Sequence, residues 1–380
     1  MKIGLSILSY KSAGSRTYIK NLLPKILEID RENHYFLFVD TRLDLSDLQN
    51  YPNLTIIRFN ISPPNLFIRF FYEQLILPIK LYFMGIDVLY CPTDMGCILS
   101  PCNIVLAIRN PNPYFNYNRI KWTRLNKIKF KIQKFLTWLS TKKAKKVIFV
   151  SNFSKYIIRK QLNIPPQKTF TVYHGVDANI FRNPQKVDKQ FKERIDELKE
   201  YILSVSTIYP HKNYEVLIKA YSRLPKNIKD KYTLVIAGGI SSPTLYFQKL
   251  EGMVRKLDIK DKVVFLGEVA YGNMPYLYQR ASVFVLPSIL ETFGHTLIEA
   301  MAAGIPIIAS DSTAIPEITN NAALLFDPHN PDELAYKICQ VLNNKALSSN
   351  LVSKGFERVK NLTWEKTVRE TLHILKSTCG

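Results

Sequence analysis

The sequence predicts an α/β protein made of two doubly wound domains, and three observations carry that prediction. The chain has 380 residues, which is more than a single hydrophobic core usually organises. Its apolar fraction is 47%, as in globular proteins. In each half, short apolar segments alternate with amphipathic ones, a pattern typical of strands and helices that build a parallel sheet.

The first half follows this alternation from its first residues. We predict strands at 2–9, 35–39, 54–59, 87–90, 104–108, 146–150 and 170–173, with a turn at 12–15 and a helix at 18–27. The segment 183–200 is rich in Lys and Glu with scattered apolar positions, which predicts a linker and a surface helix. We therefore expect one domain at 1–182 and a second at 183–363.

The second half repeats the pattern. We predict strands at 201–205, 232–237, 263–266, 283–286 and 307–309, and helices at 213–224 and 296–303. Ligands of doubly wound sheets bind beyond the carboxyl ends of the strands. The segments after the strands 201–205 and 283–286 are therefore the first places to search for a site.

The charge of the chain is concentrated in its first half. The net charge is +21, and residues 1–180 hold 26 basic and 10 acidic residues against 26 and 21 in residues 181–380. The stretch 119–146 has eleven basic residues, no acid, and interleaved aromatic and aliphatic residues. Such a helix suits an anionic membrane surface. The alternative is a core-packed helix with a solvated basic face; nucleic acid competes as a partner, but no recognition motif is present.

Several function classes are excluded by composition. No stretch is long and apolar enough to span a bilayer. Residues 1–10 are interpreted as the first strand, because no small-residue cleavage site follows them. Five cysteines without a zinc spacing indicate reduced thiols in a cytoplasmic protein. We expect the chain to be cytoplasmic and peripheral on the inner face of the membrane.

The run 287–306 carries the chemistry. Glu291 and Glu299 lie eight residues apart in it, the first in a loop after a strand and the second in the first turn of the predicted helix. Unpaired amides at the helix start attract an anionic phosphate. A loop acid, an anion site and a helix acid together suit a sugar joined to a nucleotide through a diphosphate.

This arrangement resembles the retaining glycosyltransferases of family 4, which have the GT-B fold and an E-x7-E signature. The resemblance implies two Rossmann-like domains facing across a cleft, with a C-terminal helix, here 364–380, that packs back on the first. It places Glu291 near the donor sugar and Glu299 on the ribose. It also assigns Phe293, Gly294, His295 and Thr296 to donor binding.

The segment 206–213 also resembles the family, and there Lys212 matches a lysine that meets the diphosphate. Thr207 and His211 are then donor-side candidates, although His211 replaces an arginine and a neutral imidazole is a weaker phosphate partner. An ordinary surface lysine is the alternative for Lys212.

The family usually has a Gly-Gly pair in a first-domain loop, where the backbone approaches the diphosphate. Here that pair is Ala13-Gly14, and Gly14 and Ser15 keep the contact if Ala13 avoids positive φ. Arg109 and Asn110 follow the strand 104–108, where many relatives place a histidine. Arg109 either holds acceptor or donor oxygens or pairs with an acid. We rank these two possibilities equally.

The resemblance implies a metal-independent enzyme without a cofactor that moves a hexose to a glycan or lipid-linked saccharide. Lys212-Asn213 weakly favours GDP-mannose, and UDP-sugars stay open. A non-catalytic sugar-nucleotide-binding protein with the same fold and a UDP-sugar epimerase are the alternatives.

Overall fold

The computed structural model describes residues 1–8, 13–41, 43–48, 50–61, 66–115, 123–184, 187–240 and 245–379. The chain forms two compact units, Met1–His174 together with Trp364–Gly380, and Gly175–Thr363. Each unit is built around one parallel sheet. The α/β class and the two doubly wound sheets predicted from the sequence are therefore confirmed.

Unit 1 begins with strands and helices in alternation. Its elements up to residue 174 are β1 (Lys2–Ile7), α1 (Ala13–Ile29), β2 (His34–Asp40), β3 (Leu54–Phe59), α2 (Leu66–Phe71), a π-helical turn (Tyr72–Ile76), α3 (Leu77–Met84), β4 (Val88–Cys91), β5 (Asn103–Ile108), α4 (Arg124–Lys143), β6 (Lys146–Phe149), α5 (Asn152–Leu162) and β7 (Thr169–Thr171). All seven predicted strands are present, with ends that differ by one to two residues.

Unit 2 repeats the alternation. Its elements are α6 (Ala178–Arg182), α7 (Lys189–Asp196), β8 (Glu200–Val205), α8 (Tyr214–Ser222), α9 (Lys226–Lys231), β9 (Tyr232–Ala237), α10 (Leu245–Lys256), β10 (Val263–Gly267), α11 (Met274–Gln279), β11 (Val283–Leu286), α12 (His295–Ala303), β12 (Ile307–Ser310), α13 (Ile315–Thr319), β13 (Leu324–Phe326), α14 (Pro331–Asn343) and α15 (Lys345–Val359). The last helix, α16 (Trp364–Lys376), belongs to unit 1. The three-residue strand β13 was not predicted.

The two sheets share one topology. Their orders are β3-β2-β1-β4-β5-β6-β7 and β10-β9-β8-β11-β12-β13, and their strand pairs are parallel. The strand order reverses beside β1 in the first sheet and beside β8 in the second. Such switch points leave a crevice beyond the strand ends where ligands bind.

The boundary between the units lies eight residues before the predicted one. Residues 175–182 were expected in the first domain, but α6 belongs to unit 2. Phe181 is fully buried there, with its ring centroid 5.8 Å from that of Tyr278. The side chain of Gln279 also donates to the carbonyl of Phe181 at 2.7 Å. The buried Phe181 ring and the Gln279 hydrogen bond attach this segment to the core of unit 2. The charge pattern of 183–200, from which the boundary was predicted, contains no information on these contacts.

The predicted turn at 12–15 is corrected as well. Residue 12 lies outside the described part of the chain, whereas Ala13, Gly14 and Ser15 form the first turn of α1. Of Gly14 and Ser15 the structure describes the backbone alone. These two donor-side candidates are therefore helical residues rather than loop residues.

The C-terminal helix α16 completes the core of unit 1. Trp364, Val368 and Leu375 are buried in the same apolar cluster as α1 and β1. Thr367 donates to the carbonyl of Tyr173 at 2.8 Å and thereby fixes the start of the helix. Within the described residues, no helix is both long and apolar enough to cross a membrane.

Candidate functional site

The site predicted around Glu291 and Lys212 is assembled at the switch point of the second sheet. Strands β8 and β11 are neighbours there, with Ile202 paired to Val283. Lys212 ends a 3-10 turn in the connection that follows β8, and Glu291 lies in the loop that follows β11. Because parallel neighbours end at the same sheet edge, residues 79 positions apart come together.

Lys212 and Glu291 form an ion pair. The Lys212 Nζ lies 2.6 Å from Glu291 Oε1, and the two side chains are only 15% and 12% exposed. Lys212 is thus not an ordinary surface lysine, which was the alternative interpretation. In so enclosed a position the pair fixes the direction of both side chains.

Asn213 holds the Lys212 turn against two other loops. It adopts a left-handed conformation with φ of 56°, and its Nδ2 donates to the carbonyls of Pro287 at 3.1 Å and Pro328 at 2.7 Å. The amide of Ile289 donates to the His211 carbonyl at 2.9 Å. These bonds join the connections after β8, β11 and β13. Sequence analysis used Asn213 only as a donor cue and missed this role.

Thr313 supports Glu291 from the loop after β12. The amide of Glu291 donates to Thr313 Oγ1 at 2.9 Å, and Thr313 itself has φ of 54°. A threonine in this region of φ is strained and needs its surroundings to hold it. No sequence signal identified Thr313, since it lies 22 residues from its partner.

Gly238 lets the loop after β9 approach the one after β8. Its φ is 152°, and a Cβ built on it would lie 1.9 Å from the Ser206 carbonyl oxygen. Its amide donates to Gly267 O at 2.8 Å. Only glycine fits at this position. Its missing side chain lets the segment with Ser206 and Thr207 lie directly against the loop after β9. Thr207 is half-buried and follows Ser206 directly after β8.

The helix α12 begins at His295, with Gly294 as its N-cap at φ of 87°. The amides predicted to meet an anion, those of His295 and Thr296, lie in its first turn, and the next amide, that of Leu297, donates to the Gly294 carbonyl at 3.0 Å. His295 and Thr296 are both half-buried. Phe293 instead is 3% exposed, and its ring lies 5.4 Å from that of His295.

Glu299 lies in the second turn of α12, not in the first as predicted, because the helix starts one residue earlier than expected. It is 8% exposed, and Tyr278 donates to its Oε2 at 2.9 Å. Burial raises the pKa of Glu299 to about 7, against the opposing effect of the Tyr278 hydrogen bond. The carboxyl group therefore titrates close to neutral pH.

His211 is a poor cation. It is 9% exposed, and its ring stacks on that of Tyr209 at a centroid distance of 5.9 Å. Burial, and then the charge of Lys212, lower the pKa of His211 to about 3. The imidazole is therefore neutral at physiological pH, in agreement with the sequence argument against it as a phosphate partner. Its buried Nδ1 has no hydrogen-bond partner among the described residues.

Arg109 and Asn110 lie in unit 1, at the end of β5. Their backbone amides donate to Asp94 Oδ1 at 2.6 and 2.9 Å, and burial raises the pKa of Asp94. The Arg109 guanidinium carbon lies 3.2 Å from the ring centroid of Tyr18. Asp94 thus binds the backbone of Arg109, and the charge of Arg109 acts against the rise in the Asp94 pKa, as expected if Arg109 pairs with an acid. The packing of the Arg109 side chain on Tyr18 was not predicted.

The site combines one cation, the start of a nine-residue helix, and two carboxyl groups in different surroundings. Within the described chain, no three His, Cys, Asp or Glu side chains group so as to hold a metal ion. Metal independence therefore stays a prediction.

Comparisons with known proteins give three results. Residues 185–358 match the family described as glycosyl transferases group 1. The chain is 30% identical over 236 residues to the O-antigen chain mannosyltransferase B of Escherichia coli, covering 61% of each chain. It is 37% identical over 195 residues to the O-antigen chain mannosyltransferase RfbU of Salmonella typhimurium, covering 51% of this chain and 50% of that one. The alignments thus span about three fifths and half of these two relatives.

Two solved structures share the fold over nearly the whole chain. A glycosyltransferase from Rickettsia africae has a TM-score of 0.76 at 19% identity, covering 99% of this chain and 98% of that one. Anabaena HepE in complex with UDP-glucose has a TM-score of 0.77 at 17% identity, covering 99% and 100%. At such identities the likeness concerns the fold alone, and it confirms the predicted GT-B class.

Proposed function

We propose that this chain transfers a hexose from a nucleoside diphosphate sugar to an acceptor hydroxyl with retention at the anomeric carbon. The premise is that residues 185–358 match the glycosyl transferases of group 1. The observation that carries the proposal is the placement of Lys212, Glu291 and the start of α12 at one sheet edge. Cation and helix amides suit the diphosphate, and the carboxylate suits the sugar.

In the proposed reaction the bond between the anomeric carbon and the diphosphate oxygen breaks, and the oxygen leaves with the electron pair. Lys212 and the first amides of α12 stabilise the negative charge that develops on this leaving group. Glu291 lies beside the sugar and stabilises its developing positive charge. The acceptor hydroxyl bonds to the anomeric carbon on the face that the diphosphate leaves, and its proton passes to a departing phosphate oxygen.

Glu299 accepts hydrogen bonds from the ribose hydroxyls in this proposal. The ionised carboxylate is the form that accepts with both oxygens. Tyr278 already donates to Oε2, so the ribose engages the remaining acceptor positions. Thr207 and Thr296 supply hydroxyl groups toward the same nucleotide.

We propose GDP-mannose as the donor. Lys212-Asn213 provides the sequence cue, and two relatives are named mannosyltransferases. The fold neighbour HepE was solved with UDP-glucose, so a UDP-sugar is the second donor to test. A glycan or lipid-linked saccharide serves as acceptor, and the enzyme works on the inner face of the membrane without metal.

The test is thermal stabilisation of the purified protein by GDP, UDP, GDP-mannose and UDP-glucose, because a ligand that binds the folded state raises its apparent stability. We expect a shift of several degrees with the guanine pair, largely lost in Glu299→Ala. A shift with the uracil pair alone refutes the mannose donor, and no shift with any of the four refutes the proposal.

Product analysis distinguishes the remaining possibilities. Incubation of GDP-mannose with lipid-linked saccharides is expected to give a longer glycan and free GDP. Nucleotide binding without any product indicates the non-catalytic alternative. Interconversion of a free UDP-sugar indicates the epimerase.

A further inference from the structure

Helix α4 carries most of its apolar residues on the outside. Leu125, Ile128, Ile132 and Phe135 have a spacing that places them on one helical face, and they are between 55% and 78% exposed. The residues that α4 buries are instead polar: Thr137, Ser140 and Thr141. In the described part of 119–146, which begins at residue 123, this row is therefore not packed in the core, while Phe130, Leu136 and Leu139 of the same helix are half-buried.

A second exposed apolar face lies on the segment from α2 to α3. Phe71, Leu75, Ile79, Tyr82 and Phe83 follow one another at helical spacing and are between 47% and 81% exposed. The segment inserts a π-helical turn, Tyr72–Ile76, between its two α-helices. Single exposed apolar residues are ordinary, but two ordered rows of them in one unit are not.

The loop between β4 and β5 joins these two elements. Gln74 in the π-helical turn donates through Nε2 to the carbonyl of Gly96 at 3.1 Å. The amide of Gly96 donates to Ser140 Oγ of α4 at 3.1 Å. Ile98 adds a 2.7 Å bond to Gln74 Oε1, and the next residue, Leu99, is 59% exposed. One buried residue, Gly96, thus binds the inner sides of both elements.

The charges on the two elements are of one sign at the surface. Helix α4 contains seven Lys and Arg residues and no acid, and Lys127, Lys129 and Lys131 are exposed among its apolar residues. The one acid in 66–84 is Glu73, which is 1% exposed and paired with Arg69 at 3.3 Å. Two copies of this face would bring like charges together, whereas anionic lipid headgroups complement them.

We infer that the face of α4 and the face of α2–α3 form one docking surface for a bilayer that contains anionic lipid, with α4 supplying the charge and α2–α3 the residues that enter the interface. This deepens the membrane part of the proposed function, on which it rests. Trp138, near the end of α4 and 37% exposed, is of the type that prefers the headgroup level. A charge-rich and a charge-poor half predict two separable contributions to binding.

The experiment is co-sedimentation of the full chain with neutral phosphatidylcholine vesicles and with vesicles that contain phosphatidylglycerol, each at low and high salt. The native chain is expected to prefer the anionic vesicles at low salt. The triple variant Lys127→Gln, Lys129→Gln and Lys131→Gln is expected to lose about 100-fold of its binding to them, since each lysine contributes roughly fivefold.

The triple variant Ile79→Ser, Tyr82→Ser and Phe83→Ser is expected to lose about tenfold on both vesicle types and at both salt concentrations, because apolar insertion is not screened. Matched controls come from unit 2. One control changes three exposed lysines to glutamine: Lys226, Lys256 and Lys260. The other combines Leu245→Ser with Tyr336→Ser. Both controls are expected to bind vesicles as the native chain does.

Three outcomes would overturn the inference. Equal binding of the native chain to neutral and anionic vesicles would refute the electrostatic contribution of α4. Native-like vesicle binding by the Ile79, Tyr82 and Phe83 triple variant would refute the apolar contribution of α2–α3. Concentration-dependent self-association without lipid, abolished by the same variants, identifies a second copy as the occupant instead. Stabilisation by nucleotides, measured in the same variants without lipid, shows independently whether the proposed function stands.

Discussion

Glu299→Gln separates the charge of this carboxyl group from its shape. Burial raises the pKa of Glu299 from an ordinary value of 4.5 to about 7. At 1.36 kcal/mol for each pH unit, this difference corresponds to about 3 kcal/mol of folding free energy. The amide keeps an oxygen that accepts the Tyr278 hydrogen bond, so the substitution removes the ionisation and little else.

The sign follows from proton binding. The folded protein holds the Glu299 proton more tightly than the unfolded chain does, so the stabilisation is fully present below about pH 4.5. It is lost as the pH rises to about 7, and above that value the ionised carboxylate stays buried at a constant cost. The free energy of unfolding of Glu299→Gln minus that of the native chain should therefore increase by about 3 kcal/mol between pH 4.5 and 8.

Hydrogen exchange of peptides from β11 and α12 in urea measures this difference, because the two units need not unfold together. His211, whose pKa burial lowers to about 3, adds the same pH dependence to the native chain and to the variant, so its contribution cancels in the difference. Glu317→Gln is the matched control, because Glu317 lies on α13 of the same unit and is half-buried. A difference that does not vary with pH would refute the assignment of a buried, proton-binding carboxyl group.

The remaining predictions concern the scaffold of the site. Lys212→Met and Glu291→Gln should each reduce the free energy of unfolding by about 1–3 kcal/mol, because each single change leaves one charge unpaired. The double variant should lose less than the sum of the two, and additive effects in a denaturant double-mutant cycle would contradict the ion pair. Gly238→Ala should cost about 3 kcal/mol or more, since its Cβ would overlap the Ser206 carbonyl. Gly252→Ala, in the middle of α10 with open space around it, should stabilise by up to about 1 kcal/mol, and equal melting temperatures of these two variants would contradict the steric argument.

The sheets and the position of the site were predictable because they depend on local pattern. Buried parallel strands such as β4 and β11 are continuous apolar segments. Helices such as α12 end at a glycine, here Gly304 at φ of 76°. Given alternating strands and helices, the right-handed crossover limits the order of neighbouring strands. The carboxyl ends of β8 and β11 then lie side by side, and Lys212 and Glu291, which follow them, come close enough to pair.

The supports of the site were not predictable, because they are single contacts between distant residues. Thr313 and Tyr278 lie 22 and 21 residues from the acids they bind. Thr313 lies in a turn whose positive φ no sequence pattern announces, and Tyr278 is one of two tyrosines on α11. The start of α12 was misjudged by one residue for a related reason, since Gly294 caps the helix by its backbone conformation and leaves no side-chain signal.

The composition of helix α4 did not determine which of its sides is buried. Its alternating apolar and basic residues favoured a membrane-facing helix but left a core-packed one open, because hydrophobic periodicity identifies a face without saying what covers it. The inner side is decided by Thr137, Ser140 and Thr141, three small residues that allow close packing and satisfy their hydroxyls at carbonyls of their own helix. Ser140 also receives the Gly96 amide, which a leucine in its place could not do. The polar side of α4 is therefore already used, and the apolar face is the side that the described residues of unit 1 leave exposed.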